Sequence, residues 1–192
     1  TAVCVLAMLS RGHLPGKGPY GTQIEQAIGY VLDSQHDGII SRIRPAFTND
    51  MLQIQTVAYN HAIGGLLLAE VYGQAPDRLN SRIRPAIEAA LKVALERHPQ
   101  PKRDREDQGG WRYYRYHQNS DSDLSVTSWS LMFLRSCRNA GFEVPTPPVD
   151  DALQFVSRCY DPRQHIFWYA LRGREHVTTR AMTGAGILSL SL

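Results

Sequence analysis

The chain has 192 residues, of which 43% are hydrophobic and 20% charged, which is the composition of a soluble globular domain with a sizeable core, or of two small ones. A net charge of +3 is too small to indicate a nucleic-acid partner. Every uninterrupted apolar run is much shorter than the roughly 20 residues a membrane span needs, so no transmembrane segment is expected.

Ala2–Arg11 is an apolar helical stretch stopped by Gly12, and His13–Gly21, rich in glycine and proline, is a loop. Thr22 is placed to cap a helix through Ser34, with Ile24, Ala27, Ile28, Val31 and Leu32 on one face. Gln35–Ile40 reads as a turn, followed by a linker with Pro45. Asn49 or Asp50 opens a long helix to Tyr72, and Gly73 stops it. Its second half, His61–Glu70, is apolar nearly all round, the mark of a helix buried on most sides.

Arg78–Arg97 is amphipathic, with Ile83, Ile87, Ala90, Leu91, Ala94 and Leu95 in one stripe. His98–Asp107 reads as a solvated, charged connector. Gln108–Tyr113 is a glycine-aromatic turn. It leads into a helix capped by Asp123 or Ser125, running to Asn139 and stopped at Gly141. Pro145, Pro147 and Pro148 read as a stiff linker, and Asp150 or Asp151 as the cap of a helix to Tyr160. Gln164–Tyr169 is another aromatic turn, and Val177–Leu192 a last helix rich in small residues.

Cys4, Cys137 and Cys159 follow no metal-binding or disulfide spacing and are expected to be buried free thiols. They leave the compartment, and so the localisation, unknown. Thr1–Ser10 lacks the basic leader and cleavage pattern of a signal peptide, and the natural chain is expected to start before Thr1.

The order of elements repeats. An amphipathic helix, a glutamine-led glycine or aromatic turn, and a highly apolar helix recur at about 22–72, 78–140 and 149–192. Tyr59-Asn60-His61 stands the same distance before Gly73 as Thr127-Ser128-Trp129 stands before Gly141, and Thr178-Thr179-Arg180 takes the same place in the last helix. Repeats of this length imply a stacked array, because one unit cannot bury its own apolar face. The expected fold is all-α: one domain over 1–192, with apolar helices inside and amphipathic ones outside. Four inner and three outer helices make an α/α toroid of about half a six-hairpin barrel, a segment of a longer chain or one completed by a second copy. The turns at 35–40, 108–113 and 164–169 are expected at one end, where the inner helices begin and their amino-terminal dipoles converge.

The turns resemble the glutamine–tryptophan repeats of squalene–hopene and oxidosqualene cyclases. Gly109-Gly110-Trp111, followed by Ser125-x-Thr127-x-Trp129-x-Leu131-Met132-x-Leu134, is similar to a passage of those enzymes. His61-Ala62 through Leu68-Ala69-Glu70-Val71-Tyr72-Gly73 is similar to a passage of bacterial prenyltransferase/squalene-oxidase-repeat proteins. The resemblance covers most of the chain. It implies the α/α toroid of the terpenoid-cyclase and protein-prenyltransferase superfamily, a fold that carries more than one activity.

The resemblance also says what chemistry to look for. The cyclases begin with an Asp-x-Asp-Asp-Thr motif; aligned on Thr127, this chain reads Asp123-Leu124-Ser125-Val126-Thr127. The proton-donating position holds Ser125, whose hydroxyl is far too weak an acid to protonate an alkene. Asp121 and Asp123 are thus weak catalytic candidates. The prenyltransferases hold zinc with Asp, Cys and His; here Asp121, Asp123, His117 and His165 lack close ligand spacing, so no metal and no cofactor are expected. Neither cyclase nor prenyltransferase chemistry is expected intact in this segment.

The residues predicted near the inner-helix starts are Tyr59, His61, Asp123, Ser125, Thr127 and Arg180, joined by Trp111, Tyr113, Trp129, Trp168 and Tyr169. Aromatic walls with a few polar anchors suit an isoprenoid or another apolar small molecule. The same residues can instead wedge the layers of a non-enzymatic scaffold for a protein, a peptide or a second copy. A glycosidase on a similar barrel would need two opposed carboxylates, and Glu70 lies well inside its helix.

Overall fold

In the computed structural model, which describes residues 1–114, 121–173 and 176–192, the chain is all-α. Seven helices are defined among the described residues: α1 (Ala2–Ser10), α2 (Gly21–Asp33), α3 (Met51–Val71), α4 (Asp77–Arg97), α5 (Leu124–Asn139), α6 (Thr146–Arg158) and α7 (Arg180–Leu190). Two small antiparallel hairpins join them, β1 (Gln35–His36) with β2 (Ile39–Ile40), and β3 (Tyr160–Asp161) with β4 (Ile166–Phe167).

Helices α1, α3, α5 and α7 form a row in which each touches the next, and α2, α4 and α6 pack against that row. Within the row, α3 and α5 run in the same direction. His61 and Gly65 meet Phe133, and about a turn further along both helices Glu70 accepts a hydrogen bond from the Ser136 hydroxyl. Helices α2 and α4 also run in the same direction. Arg78 pairs with Glu25, Arg82 with Asp33 at 2.6 Å, and the Gln35 amide donates to the Ala86 carbonyl at 2.9 Å. Together the helices bury one continuous core. At its centre are Ile54, Leu67, Leu68, Ile83, Ile87, Phe133, Leu134 and Phe155, all essentially inaccessible.

The capping residues explain where the long apolar helices begin. Asp50 and Asp123 have extended backbones, and their carboxylates accept from the N–H groups of Leu52 and Val126, at 2.9 and 2.8 Å. Thr179 does the same for Met182 at 3.2 Å. The last helix therefore starts at Arg180, not at Val177. Val177 and Thr178 instead lie alongside Trp168 and Tyr169, through a Trp168–Thr178 bridge and a 2.7 Å bond from Tyr169 N–H to the Val177 carbonyl.

Three other expectations need correction. Thr22 is not a cap: α2 starts at Gly21, behind Tyr20. A β-carbon on Gly21 would lie 2.6 Å from the Gly16 carbonyl carbon, so the loop needs a glycine where it crosses itself. Helix α6 starts at Thr146, not at Asp150 or Asp151. Pro147 and Pro148 fall inside its first turn, where no backbone N–H has an intrahelical acceptor to lose. The turn at 35–40 does not meet the start of its inner helix. It meets the middle, with Ile40 N–H donating to His61 Nδ1 at 3.2 Å, because the Asp50 cap sets α3 going well before His61.

Candidate functional site

The amino-terminal end of α5 collects most of the predicted residues. The 108–113 segment crosses it and is pinned there by one residue. Trp111 N–H donates to Thr127 Oγ1 at 3.0 Å, Asp123 N–H donates to the Trp111 carbonyl at 3.1 Å, and the Trp111 indole donates to the Ala94 carbonyl of α4 at 3.0 Å. The crossing is tight. Gly109 has φ +85° and lies against the Asp151 backbone, and a β-carbon on Gly110 would sit 2.5 Å from Ser122 Cβ. The 164–169 segment arrives from the other side, where Leu124 N–H donates to the Tyr169 carbonyl at 2.8 Å.

Three tyrosines from three parts of the chain converge on this end. The Tyr113 and Tyr169 hydroxyls are 2.7 Å apart. The Tyr59 ring, from α3, lies 6.5 Å from the Tyr113 ring, and Ser125, Tyr169 and Tyr113 all approach the Tyr59 hydroxyl. Beneath them is a buried ion pair: Arg112 Nη1 is 3.4 Å from Asp123 Oδ2, with the two side chains 3% and 0% exposed. The Arg112 guanidinium also stands over the Tyr113 ring at 4.6 Å and the Tyr169 ring at 5.9 Å.

Burial, and then the charge of Asp123, disfavour the phenolates. The Tyr113 hydroxyl is pushed up to about 12, and those of Tyr59 and Tyr169 are raised for the same two reasons. At neutral pH the cluster is therefore a set of neutral hydroxyl donors over a compensated ion pair. Asp123 is occupied as helix cap and as partner of Arg112, which leaves it unsuited to giving up a proton.

The other predicted residues are placed elsewhere. Asp121 staples a loop: its carboxylate accepts from Arg103 N–H at 2.7 Å and from Arg103 Nη2 at 2.7 Å. Burial raises that carboxyl, but the Arg103 hydrogen bonds and charge outweigh it and hold it below the usual range. His98–Asp107 is thus not a simple solvated connector. Asp107 is 1% exposed and accepts from Asp121 N–H at 2.8 Å, and His98 is buried against the Gly109 carbonyl at 3.1 Å. Trp129 is half-buried against the core, and Trp168 stacks on His176 at 3.9 Å. Arg180 is exposed at the start of α7, because the α7 flank at the end of the row is open. His61 is buried behind the 108–113 segment, between Tyr114 and Phe133, rather than among the three tyrosines.

Among the cysteines, Cys137 and Cys159 are buried and Cys4 is exposed, against the expectation that all three are buried. No group of three or more His, Cys, Asp and Glu side chains among the described residues could hold a metal ion, and His117 lies outside those residues. No described helix is long and apolar enough to cross a membrane. Sequence reasoning missed Arg112, the cation at the centre of the cluster. Its one signal was its place between Trp111 and Tyr113 in the glycine-aromatic turn. Comparison with family models, with curated proteins and with solved structures returned no match.

Proposed function

We propose that the chain is a helical-repeat domain of the α/α-toroid type, resembling the prenyltransferase/squalene-oxidase-repeat proteins. Its aromatic end holds an isoprenoid or another apolar small molecule bearing one polar group, and the domain carries no cyclase or prenyltransferase chemistry of its own. The observation that carries this reading is the convergence of the Tyr59, Tyr113 and Tyr169 hydroxyls at the start of α5. Neutral phenols beside apolar ring faces recognise a hydroxyl or carbonyl at the end of a hydrocarbon chain, and they supply no proton to it.

The test is native mass spectrometry of the purified chain with farnesol or geranylgeraniol, followed by titration of intrinsic fluorescence. A one-to-one adduct is expected, weakened roughly thirtyfold in a Tyr113→Phe/Tyr169→Phe double variant, each lost hydrogen bond being worth about 1 kcal/mol. No adduct, or equal binding by the variant, overturns the reading.

One observation favours a second reading, a binding scaffold for a protein or a second copy. Helix α7 exposes Ile187, Leu188 and Leu190 at 60%, 43% and 48%, at the end of the inner row. Sedimentation velocity of the wild type and of Ile187→Glu tests it. Concentration-dependent association lost in the variant supports the scaffold, and a monomer at all concentrations overturns the homodimer.

A further inference from the structure

Behind the 108–113 segment, on the other side of Arg112 from the tyrosine rings, α3, α4 and α5 line a partly open cavity of about 20 Å³. Its walls include His61, Arg97, Arg112, Tyr114, Ser130 and Phe133. It is large enough for one water molecule or one monatomic ion, and for nothing bigger.

The polar atoms on its walls are mostly donors. Ile40 N–H donates to His61 Nδ1 at 3.2 Å, so the neutral ring carries its proton on Nε2. His61 is 5% exposed, and Nε2 has no hydrogen-bond partner. The Ala90 carbonyl is near enough to favour the protonated ring, but it does not reach hydrogen-bonding geometry with Nε2. The Tyr114 hydroxyl is likewise buried without a partner. The Arg97 guanidinium lies over the Tyr114 ring at 4.0 Å and donates to the Tyr113 carbonyl at 3.0 Å. The Ser130 hydroxyl is already spent on the Val126 carbonyl at 2.9 Å. None of the described residues lining the cavity is an aspartate or a glutamate.

Arg112 is compensated by Asp123, but Arg97 is half-buried beside two buried N–H and O–H groups without an acceptor, an arrangement that burial penalises until an acceptor joins it. We infer that this cavity is a binding site for a small monovalent anion of the halide class, held by Arg97, the Tyr114 hydroxyl and His61 Nε2–H. The ion ties α3, the end of α4 and the aromatic turn together from the inside. It would thereby set the turn from which Trp111, Arg112 and Tyr113 project. This holds whether or not the tyrosine cluster binds a ligand.

The test is thermal unfolding of the full chain in sodium chloride against sodium gluconate at equal ionic strength, gluconate being too large for the cavity. A saturable rise in the midpoint with chloride is expected, on the order of 5 °C at a hundredfold excess over the dissociation constant. The rise should vanish in Arg97→Gln and shrink in Tyr114→Phe, which removes one hydroxyl and keeps the ring should the Arg97 variant fail to fold. Crystals grown in bromide should give an anomalous peak within hydrogen-bonding distance of His61 Nε2. Equal midpoints in the two salts, an undiminished chloride effect in Tyr114→Phe, or a water at that position would each overturn the inference.

Discussion

The hydroxyls of Tyr113 and Tyr169 meet at 2.7 Å, joining the aromatic turn before α5 to the segment before α7. Both groups are held neutral by burial and by the charge of Asp123. A Tyr169→Phe variant leaves Tyr113 without that partner and should cost about 1 kcal/mol in chemical denaturation. Because the folded-state values lie above the ordinary 10.0, the unfolded chain loses its phenolic protons first. Stability is therefore full below pH 10 and falls as the pH rises from there toward 12. Absorbance titration at 295 nm should show phenolate forming later in the folded protein than in urea. Coincident curves would contradict the buried cluster.

The Arg112–Asp123 pair predicts an asymmetry between two substitutions. Asn at position 123 can still cap α5, but it leaves Arg112 buried beside a neutral amide. Breaking a buried ion pair on one side costs roughly 3 kcal/mol. Asp123→Ala loses the cap as well and should cost about 1 kcal/mol more. Urea denaturation of the two variants gives both numbers. A neutral Asp123→Asn would mean that the ion pair does not stabilise the folded state.

The elements that could be read from the sequence are those whose signal is local. Asp50 and Asp123 precede apolar helical runs, and each caps the helix it precedes. The hairpin at Tyr160–Phe167 shows in the sequence only as a helix end at Tyr160 and an aromatic turn at Gln164–Tyr169, because two paired residues per strand leave no alternation to detect. At α6 two signals competed. Prolines suggested a linker and Asp150 a cap, but proline is also at home in a first helical turn, and the helix absorbs both. The same division holds at the site. Matching Tyr59 with Thr127 by their distance from a following glycine put both near the convergence at the start of α5. Arg180, placed by register with His61 and Trp129, lies exposed, because register along a helix says nothing about whether another element covers it. Arg112 was missed because an arginine in a turn normally faces water. Its burial depends on Asp123, eleven residues further on, and no local pattern orients the two toward each other.

Two glycines make opposite predictions. A β-carbon at Gly65 would lie 2.7 Å from the Phe133 ring, in the closest part of the α3–α5 contact. Gly65→Ala should therefore destabilise by about 2 kcal/mol despite alanine's better helix propensity. At Gly29 in α2 there is no atom within 4 Å of the position, so Gly29→Ala should stabilise by about 1 kcal/mol. Thermal or urea unfolding distinguishes them, and the same sign for both would rule out the close inner-row packing.

The thiols should react in two classes. Cys4 is exposed, whereas burial pushes the Cys137 and Cys159 thiols up to about 12, keeping them protonated and out of reach. A disulfide reagent at pH 8 should modify one cysteine of the native protein quickly, and all three only in denaturant. Fast modification of two or three native thiols would contradict the packing of α5 and α6.

His61 makes stability depend on pH in the acid range. Burial, and then the charge of Arg97, lower its imidazole from 6.5 to about 4. A depressed histidine is neutral in the fold while the unfolded chain still binds a proton. The sign follows: stability is full above about pH 6.5, falls as the pH drops, and levels off below about pH 4. The loss over that window is on the order of 3 kcal/mol. His61→Gln cannot titrate, so the difference between wild-type and variant unfolding free energies should change by that amount between pH 7 and pH 4. Other carboxylates and histidines contribute to both proteins alike and cancel in the difference. A flat difference across the window would place His61 in water rather than between α3, the first hairpin and Tyr114.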